Sequence, residues 1–280
     1  CESMKLNAME IYMKPFQRTL ALTLWSLLFS LSVCAQGFSS SSSAASEKAH
    51  FKPEQIVAFS KKVERVLGAT GARVAIIGRM GRPASELPEG MHFTHVAFAV
   101  YSEITTVDGE RVPGYAIHNL YQQDAHPNVS DLVQDFPVDF FAGVATLEAG
   151  LIIPSPQLQA RLLRVITSPT YKQLHQPSYS VIANPYTLGH QNCTEFVLDV
   201  LNSAIYQTND IQVIKENEKA YFVAQPVNVS PFKLLLGSMF SAEVATSDHS
   251  GPPVTATFER IGDYLQKYDE GSFMKTVYPN

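Results

Sequence analysis

Cys193 opens the run Cys193-Thr194-Glu195-Phe196-Val197-Leu198-Asp199-Val200-Leu201, whose residue types and spacing could do thiol chemistry. Counting forward from the cysteine, Phe196, Val197, Val200, Leu201 and Ala204 form one apolar stripe at helical spacing. Asn192 is a good N-cap, and Glu195 sits at the N3 position that closes a capping box, which makes Cys193 the first residue of the helix. The first turn of a helix carries unpaired N–H groups and the positive end of the dipole. Both favour a thiolate, so such cysteines fall below the free value of about 8.5. The same N–H groups can stabilise an oxyanion once the sulfur attacks a carbonyl. The plainer reading is that a free cysteine is a small hydrophobe, and the apolar stripe suits burial equally well.

A nucleophilic cysteine needs an imidazole nearby. Of the eight histidines, His50 lies in a polar tether, and His126 and His249 lie in polar loops where they are expected to face solvent. His95 stands out. It sits inside Phe93–Tyr101 (FTHVAFAVY), the strongest strand signal in the sequence. Strand alternation puts His95, Ala97 and Ala99 on one face and Thr94, Val96, Phe98 and Val100 on the other. Small residues beside the histidine leave room for a second element, such as the end of a helix carrying Cys193. The plainer reading is a core histidine held by a hydrogen bond. A third residue could orient His95 from the following strand, where His118 is the first choice and Asn119 the second. They lie on opposite faces, so only one can point at the site. His92 and His95 also face opposite ways, no HExxH is present, and the sequence therefore predicts no metal site and no cofactor.

Several elements must position these groups. Pro53–Leu67 has helical spacing, with proline in its first turn. Ala72–Gly78 is a short β-branched run, read as a buried strand. Arg79–Gly90 reads as a loop. Asp108-Gly109 is a hairpin signal between the His95 strand and a returning strand, Tyr115–Gln122. Val138–Gly150 is ambiguous. Leu151–Ile153 reads as strand and Pro156–Ile166 as helix. Tyr179–Ile182 could be a short strand. Helices are expected at Val213–Ala220 and Phe258–Tyr268. The order is helix, three strands, helix, helix and a C-terminal extension, which makes a mixed α+β protein with antiparallel strands.

The N-terminal part reads differently. Residues 13–18 are basic, residues 19–33 are apolar without charge, and Val33-Cys34-Ala35 offers a cleavage site, as in a secretory signal. Residues 1–12 precede Met13, the expected start. Residues 1–35 are thus expected to be removed, with lipid attachment at Cys34 as a second reading. Residues 36–50 form a serine-rich tether, and residues 51–280 form one folded domain. The apolar run is shorter than the roughly 20 residues of a spanning helix. Export would leave Cys193 as the one remaining thiol, and an idle reactive thiol is a liability in an oxidising compartment. A net charge of −5 without a basic stripe argues against nucleic acid as a partner.

FTHVAFAVY followed about a hundred residues later by NCTEFVLDVL resembles the circularly permuted branch of the papain-like, NlpC-type cysteine hydrolases. The whole of residues 50–270, including GRMGRPASELPEGMHFTH, resembles the bacterial exported family called domain of unknown function 2145. The resemblance implies an antiparallel sheet packed against helices that include the Cys193 helix. It also implies Cys193 as nucleophile, His95 as base and a third polar residue at His118 or Asn119, with Gln191 or Tyr179 near Cys193 as oxyanion donors. The implied activity is a periplasmic or secreted hydrolase cutting an amide or ester bond in a cell-envelope peptide or an acylated small molecule. The reading from another class is a non-catalytic envelope binding module on the same fold, whose C-terminal extension (residues 221–268) covers the cleft or binds a partner, with FKLLLGSMF (residues 232–240) within it expected to pack on the core.

Overall fold

The structure, a computed structural model, describes residues 50–228 and 245–279. The expected signal, most of the expected tether and FKLLLGSMF therefore lie outside the described residues.

Helix α1 (Pro53–Ala69) starts on the rigid φ of proline and buries Ile56, Phe59, Val63 and Leu67 on one side. It stops at Gly71, whose φ of +68° suits only glycine without strain. Strand β1 (Val74–Met80) is buried along its whole length, as its near-continuous apolar run requires. It extends past the expected boundary, so Arg79 lies in the strand and not in a loop. Strands β2 (His95–Thr105) and β3 (Arg111–Gln122) form the expected hairpin. The Thr106 N–H donates to Glu110 O at 2.8 Å, and Gly109 takes a φ of +80°.

Two strands of the main sheet were not expected, β4 (Ser130–Asp135) and β8 (Phe273–Val277). The ambiguous segment resolves into a short helix α2 (Pro137–Phe141) and strand β5 (Thr146–Ile153). Helices α3 (Pro156–Ile166), α4 (Pro169–Gln173), α5 (Cys193–Tyr206) and α6 (Ile211–Tyr221) follow. A two-residue ladder then joins β6 (Gln225–Pro226) to β7 (Val254–Thr255), and α7 (Phe258–Tyr268) precedes β8. Tyr179–Ile182 does not form a strand. Tyr179 makes a single bridge to Gln191.

The fold is α+β. Its main sheet is antiparallel and six-stranded, in the order β4-β3-β2-β1-β5-β8. One face of the sheet, with Ala75, Ile77, Ala97, Ala99, Tyr115 and Ile117, packs under α1 and α2. The other face, with Val74, Ile76, Val96, Phe98, Val100 and Leu120, packs against α3, α5 and α7. This corrects the expectation from the small-residue face. Ala97 and Ala99 make room for Phe59, Phe140 and Phe141 from α1 and α2, and α5 takes the opposite face. Each large apolar side chain that α5 buries there, Phe196, Val197, Val200 and Leu201, is worth about 1.5–3 kcal/mol relative to exposure.

Candidate active site

The α5 N-terminus is held as its sequence predicts. Asn192 Oδ1 accepts from the Thr194 and Glu195 N–H groups at 3.1 and 2.9 Å. Its Nδ2 donates to Val181 O and Thr255 Oγ1 at 3.0 and 3.1 Å, which fixes the cap to the surrounding loops. The Cys193 N–H itself has no acceptor among the described residues. Glu195 does not close the capping box. Every residue from Cys193 to Ala204 is buried, so the polar side of the helix is not a solvent face. Lys215 of α6 reaches in and places its Nζ 2.8 Å from Glu195 Oε1, 2.7 Å from Asp199 Oδ1 and 3.1 Å from Glu218 Oε2. Burial lowers the lysine, but the three carboxylates outweigh it and hold the ammonium well above its ordinary value. Burial raises Glu195 to about 8 against the pull of Lys215, with Asp199 adding to the rise, and it raises Glu218 well above the carboxylate range.

Cys193 is buried, its sulfur lies 3.7 Å from Thr194 Oγ1, and the Val96 backbone N–H is near enough to pull the thiol down. The reason lies in the sheet. Tyr101 N–H bonds to Arg73 O on the β1 side, so alternation turns the Val96 N–H toward β3. The β2–β3 ladder ends at Phe98–His118, and the next rung, Val96–Leu120, is not made. The sulfur lies near Val96, at the point where the two strands part. Burial pushes the thiol above its ordinary value, against the Val96 N–H, Thr194 and the charge of Arg79, all of which pull it down. Burial, the largest contribution, thus opposes the lowering expected at a helix N-terminus.

His95 begins β2, immediately before Val96. Its ring turns toward the α2 side, stacked on Tyr121 with centroids 4.8 Å apart and planes 7° apart, and lies 5.7 Å from Phe140. Nε2 bonds Asn119 Oδ1 at 3.0 Å. Nδ1 makes no hydrogen bond, and the ring and the sulfur are not directly bonded, among the described residues. Burial first, and Arg79 second, push His95 down to about 3, against the Asn119 bond. Thiol and imidazole are thus both neutral near pH 7. Arg79, opposite His95 in the β1–β2 ladder, is buried with its guanidinium over the Phe140 and Tyr121 rings, and its Nη1 donates to Phe140 O.

The residue on β3 that meets His95 is Asn119, the second choice. His118, the first choice, faces the α5 side and packs edge-on against Tyr171 at 5.9 Å. The register decides this. His118 pairs with Phe98, so it shares the face of Phe98, while Asn119 shares the face of His95. Asn119 Nδ2 in turn donates to Asp135 Oδ1 on β4 at 2.8 Å, and the Tyr121 hydroxyl donates to Asp135 Oδ2 at 2.9 Å. Burial raises Asp135 to about 7, with Asp139 adding to the rise and Tyr121, Arg79 and Asn119 opposing it.

With this geometry in place, a family model described as an uncharacterised protein conserved in bacteria, DUF2145, matches residues 66–265. The chain belongs to that family. The matched span holds Arg79, His95, Asn119, Tyr121, Asp135 and Cys193, so the whole arrangement lies within the DUF2145 domain. No curated protein and no solved structure matches the chain.

The remaining candidates of the DUF2145 domain are placed elsewhere. Gln191 is buried and fully engaged: its Nε2 donates to Leu174 O and Asp199 Oδ2, and its Oε1 accepts from Gln176 N–H. It has no donor left for an oxyanion. Tyr179 is tied through its backbone to Asn128 O at 2.8 Å. His249 does not face solvent. Its side chain is only 3 % exposed and its Nε2 donates to Ile182 O at 2.9 Å. His92 Nε2 lies 2.8 Å from Glu148 Oε1. Among the described residues no group of three or more His, Cys, Asp or Glu could hold a metal, and no helix is long and apolar enough to cross a membrane. Sequence reasoning missed Arg79, Tyr121 and Asp135. Tyr121 carried a usable signal, because it shares the parity of Asn119. Asp135 carried none without β4.

Proposed function

We propose that this DUF2145 protein is an exported cysteine hydrolase of permuted papain-like arrangement, acting on an amide or ester bond in a cell-envelope peptide or an acylated molecule. The observation that supports the reading is that the Cys193 thiol lies near the backbone of Val96, the residue after His95, where β2 and β3 part; the His95 ring rests toward α2 and must turn toward the sulfur for attack. Asn119 occupies Nε2 of the imidazole and leaves Nδ1 as the open nitrogen. In this reading His95 Nδ1 takes the thiol proton as the sulfur–carbon bond forms, and the carbonyl oxygen takes up the negative charge. The Cys193 N–H, which lacks an acceptor, stabilises that oxyanion. The carbon–nitrogen or carbon–oxygen bond then breaks, and His95 returns the proton to the leaving group. Water repeats the sequence on the acyl-sulfur bond and releases the thiol. Because burial keeps the resting pair neutral, proton transfer accompanies attack instead of preceding it.

The burial of Cys193 favours a second reading, a binding module in which the thiol is a packed core atom. Iodoacetamide labelling of the folded protein separates the two. The hydrolase reading expects native labelling of Cys193 that is absent in Cys193→Ser. It also expects a slowing in His95→Ala by about a hundredfold or more, the usual share of a general base. Labelling that needs denaturant, or that ignores His95→Ala, would leave the binding module.

A further inference from the structure

The network behind His95 does more than fill space. Asn119, Tyr121 and Asp135 are all buried, on two adjacent strands, and four polar groups meet in sequence: imidazole, amide, carboxylate and phenol. An asparagine amide has no preferred way round. Its oxygen and its NH2 exchange places at no steric cost, so its neighbours must choose. Two partners compete for that choice. An imidazole nitrogen accepts either end of the amide by changing tautomer. An ionised carboxylate accepts only, so it imposes the NH2 on its own side. Asp135 Oδ1 takes Asn119 Nδ2 at 2.8 Å, and Oδ2 is spoken for by the Tyr121 hydroxyl at 2.9 Å. A second, longer bond from Nδ2 to Ile117 O at 3.4 Å points the same way.

We propose that Asp135 is a positioning residue that fixes the Asn119 amide with its oxygen toward His95, and thereby fixes the His95 tautomer with its proton on Nε2 and its lone pair on Nδ1. The carboxylate never touches the reacting atoms. It acts through one amide, and Tyr121 keeps it in place from one side while stacking on the imidazole from the other. The inference rests on the hydrolase reading only for its use in catalysis, since the tautomer itself is a property of the resting protein. The groups facing Asp135 are Tyr121, Asn119, Arg79 and Asp139. Arg79 favours the ionised acid, while burial opposes it and raises Asp135 to about 7. Ionisation of Asp135 therefore falls close to neutrality, where a protonated acid would free the amide to turn. At His95, whose own value is near 3, and at Cys193, whose value is raised, no competing titration occurs in that range.

The test is the nitrogen-15 NMR signature of His95, read in the folded full domain at about pH 8, in wild type, Asp135→Asn and Asp135→Leu. Wild type is expected to show the Nε2–H tautomer. Asp135→Asn offers one acceptor and one donor, as the protonated acid does, and should shift His95 toward a tautomer mixture at this pH. Asp135→Leu keeps a similar shape without an acceptor and should shift His95 into a tautomer mixture. If the Nδ1-free form falls to about a tenth, iodoacetamide labelling of Cys193 slows about tenfold. A folded Asp135→Leu with the wild-type signature overturns the proposal. Should Asp135→Leu fail to fold, wild type is titrated instead. A signature unchanged between about pH 5 and about pH 8 then overturns it. A tautomer shift without any change in labelling would spare the relay and count against the hydrolase reading.

Discussion

Replacing Lys215 by methionine removes the one ammonium that three buried carboxylates share. Lys215 is 6 % exposed, Glu195 and Asp199 are 1 %, and Glu218 is fully buried, so solvent cannot take over the screening. Breaking a buried ion pair from one side costs about 3–5 kcal/mol, because the partner is left uncompensated. For a domain of this size each kcal/mol moves Tm by about 2–4 °C, which gives a fall of about 6–20 °C. The pH dependence has a definite sign. Glu195, and Glu218 still more, hold protons in the folded state that the unfolded state releases at the ordinary carboxylate value. Stability therefore falls as pH rises from that value to about 8, and is fully present only below it. Without Lys215 only neutral amide donors, Gln191 to Asp199 and Asn202 to Glu218, oppose the desolvation of the carboxylates, so the fall deepens and extends to higher pH. The deficit of Lys215→Met against wild type should be small near pH 5, where the acids can stay protonated, and largest near pH 8. Urea unfolding at both values measures it. A deficit below about 1 kcal/mol near pH 8, or one of equal size at both, would show that the cluster is not the buried, overcharged group argued for above.

Other substitutions probe the scaffold around the site. Asn192→Ala strips the α5 cap along with the bonds to Val181 O and Thr255 Oγ1, and should lower stability by about 2 kcal/mol in a urea midpoint; a loss of a few tenths would mean that water replaces the cap. Gly150→Ala would set a methyl 2.5 Å from Phe93 Cε2 and 2.7 Å from Phe258 Cε1, overpacking a paired ring contact and costing about 1–3 kcal/mol. Gly68→Ala, within α1 and with open space around it, should instead raise stability by about 0.5–1 kcal/mol in the same measurement.

What the sequence made legible follows the range of the forces involved. The α5 cap, the α1 boundaries, the hairpin at Gly109 and the strand carrying His95 are set by local chemistry, and local chemistry is written in short windows. Parity along β3 limited the partner of His95 to one of two residues, but the choice depended on a hairpin register that neighbouring residues alone do not specify. The covering layer was harder still. Ala97 and Ala99 announce a close neighbour without naming it, and phenylalanines from α1 and α2 fill the space. Strand β4 was hidden because SDLVQD, with two aspartates and a glutamine, lacks the apolar alternation of a strand signal. Asp135 finds its reason only beside Asn119 and Tyr121. In α5, nothing near Glu195 and Asp199 in the sequence announces that Lys215 will enter from another helix.

The order of strands carries a cost that shows itself only while the chain is being made. Ile153 on β5 pairs with Phe273 on β8, so the outer rim of β5 waits 120 residues for its partner. At 5–20 residues per second this wait lasts about 6–24 s. Throughout it, the hydrogen-bonding groups along residues 149–153 (AGLII) offer an open template to any other nascent strand. The vulnerable moment of this protein's life is thus set by the ribosome's pace across α3 to α7, well before the thiol and imidazole have any work to do.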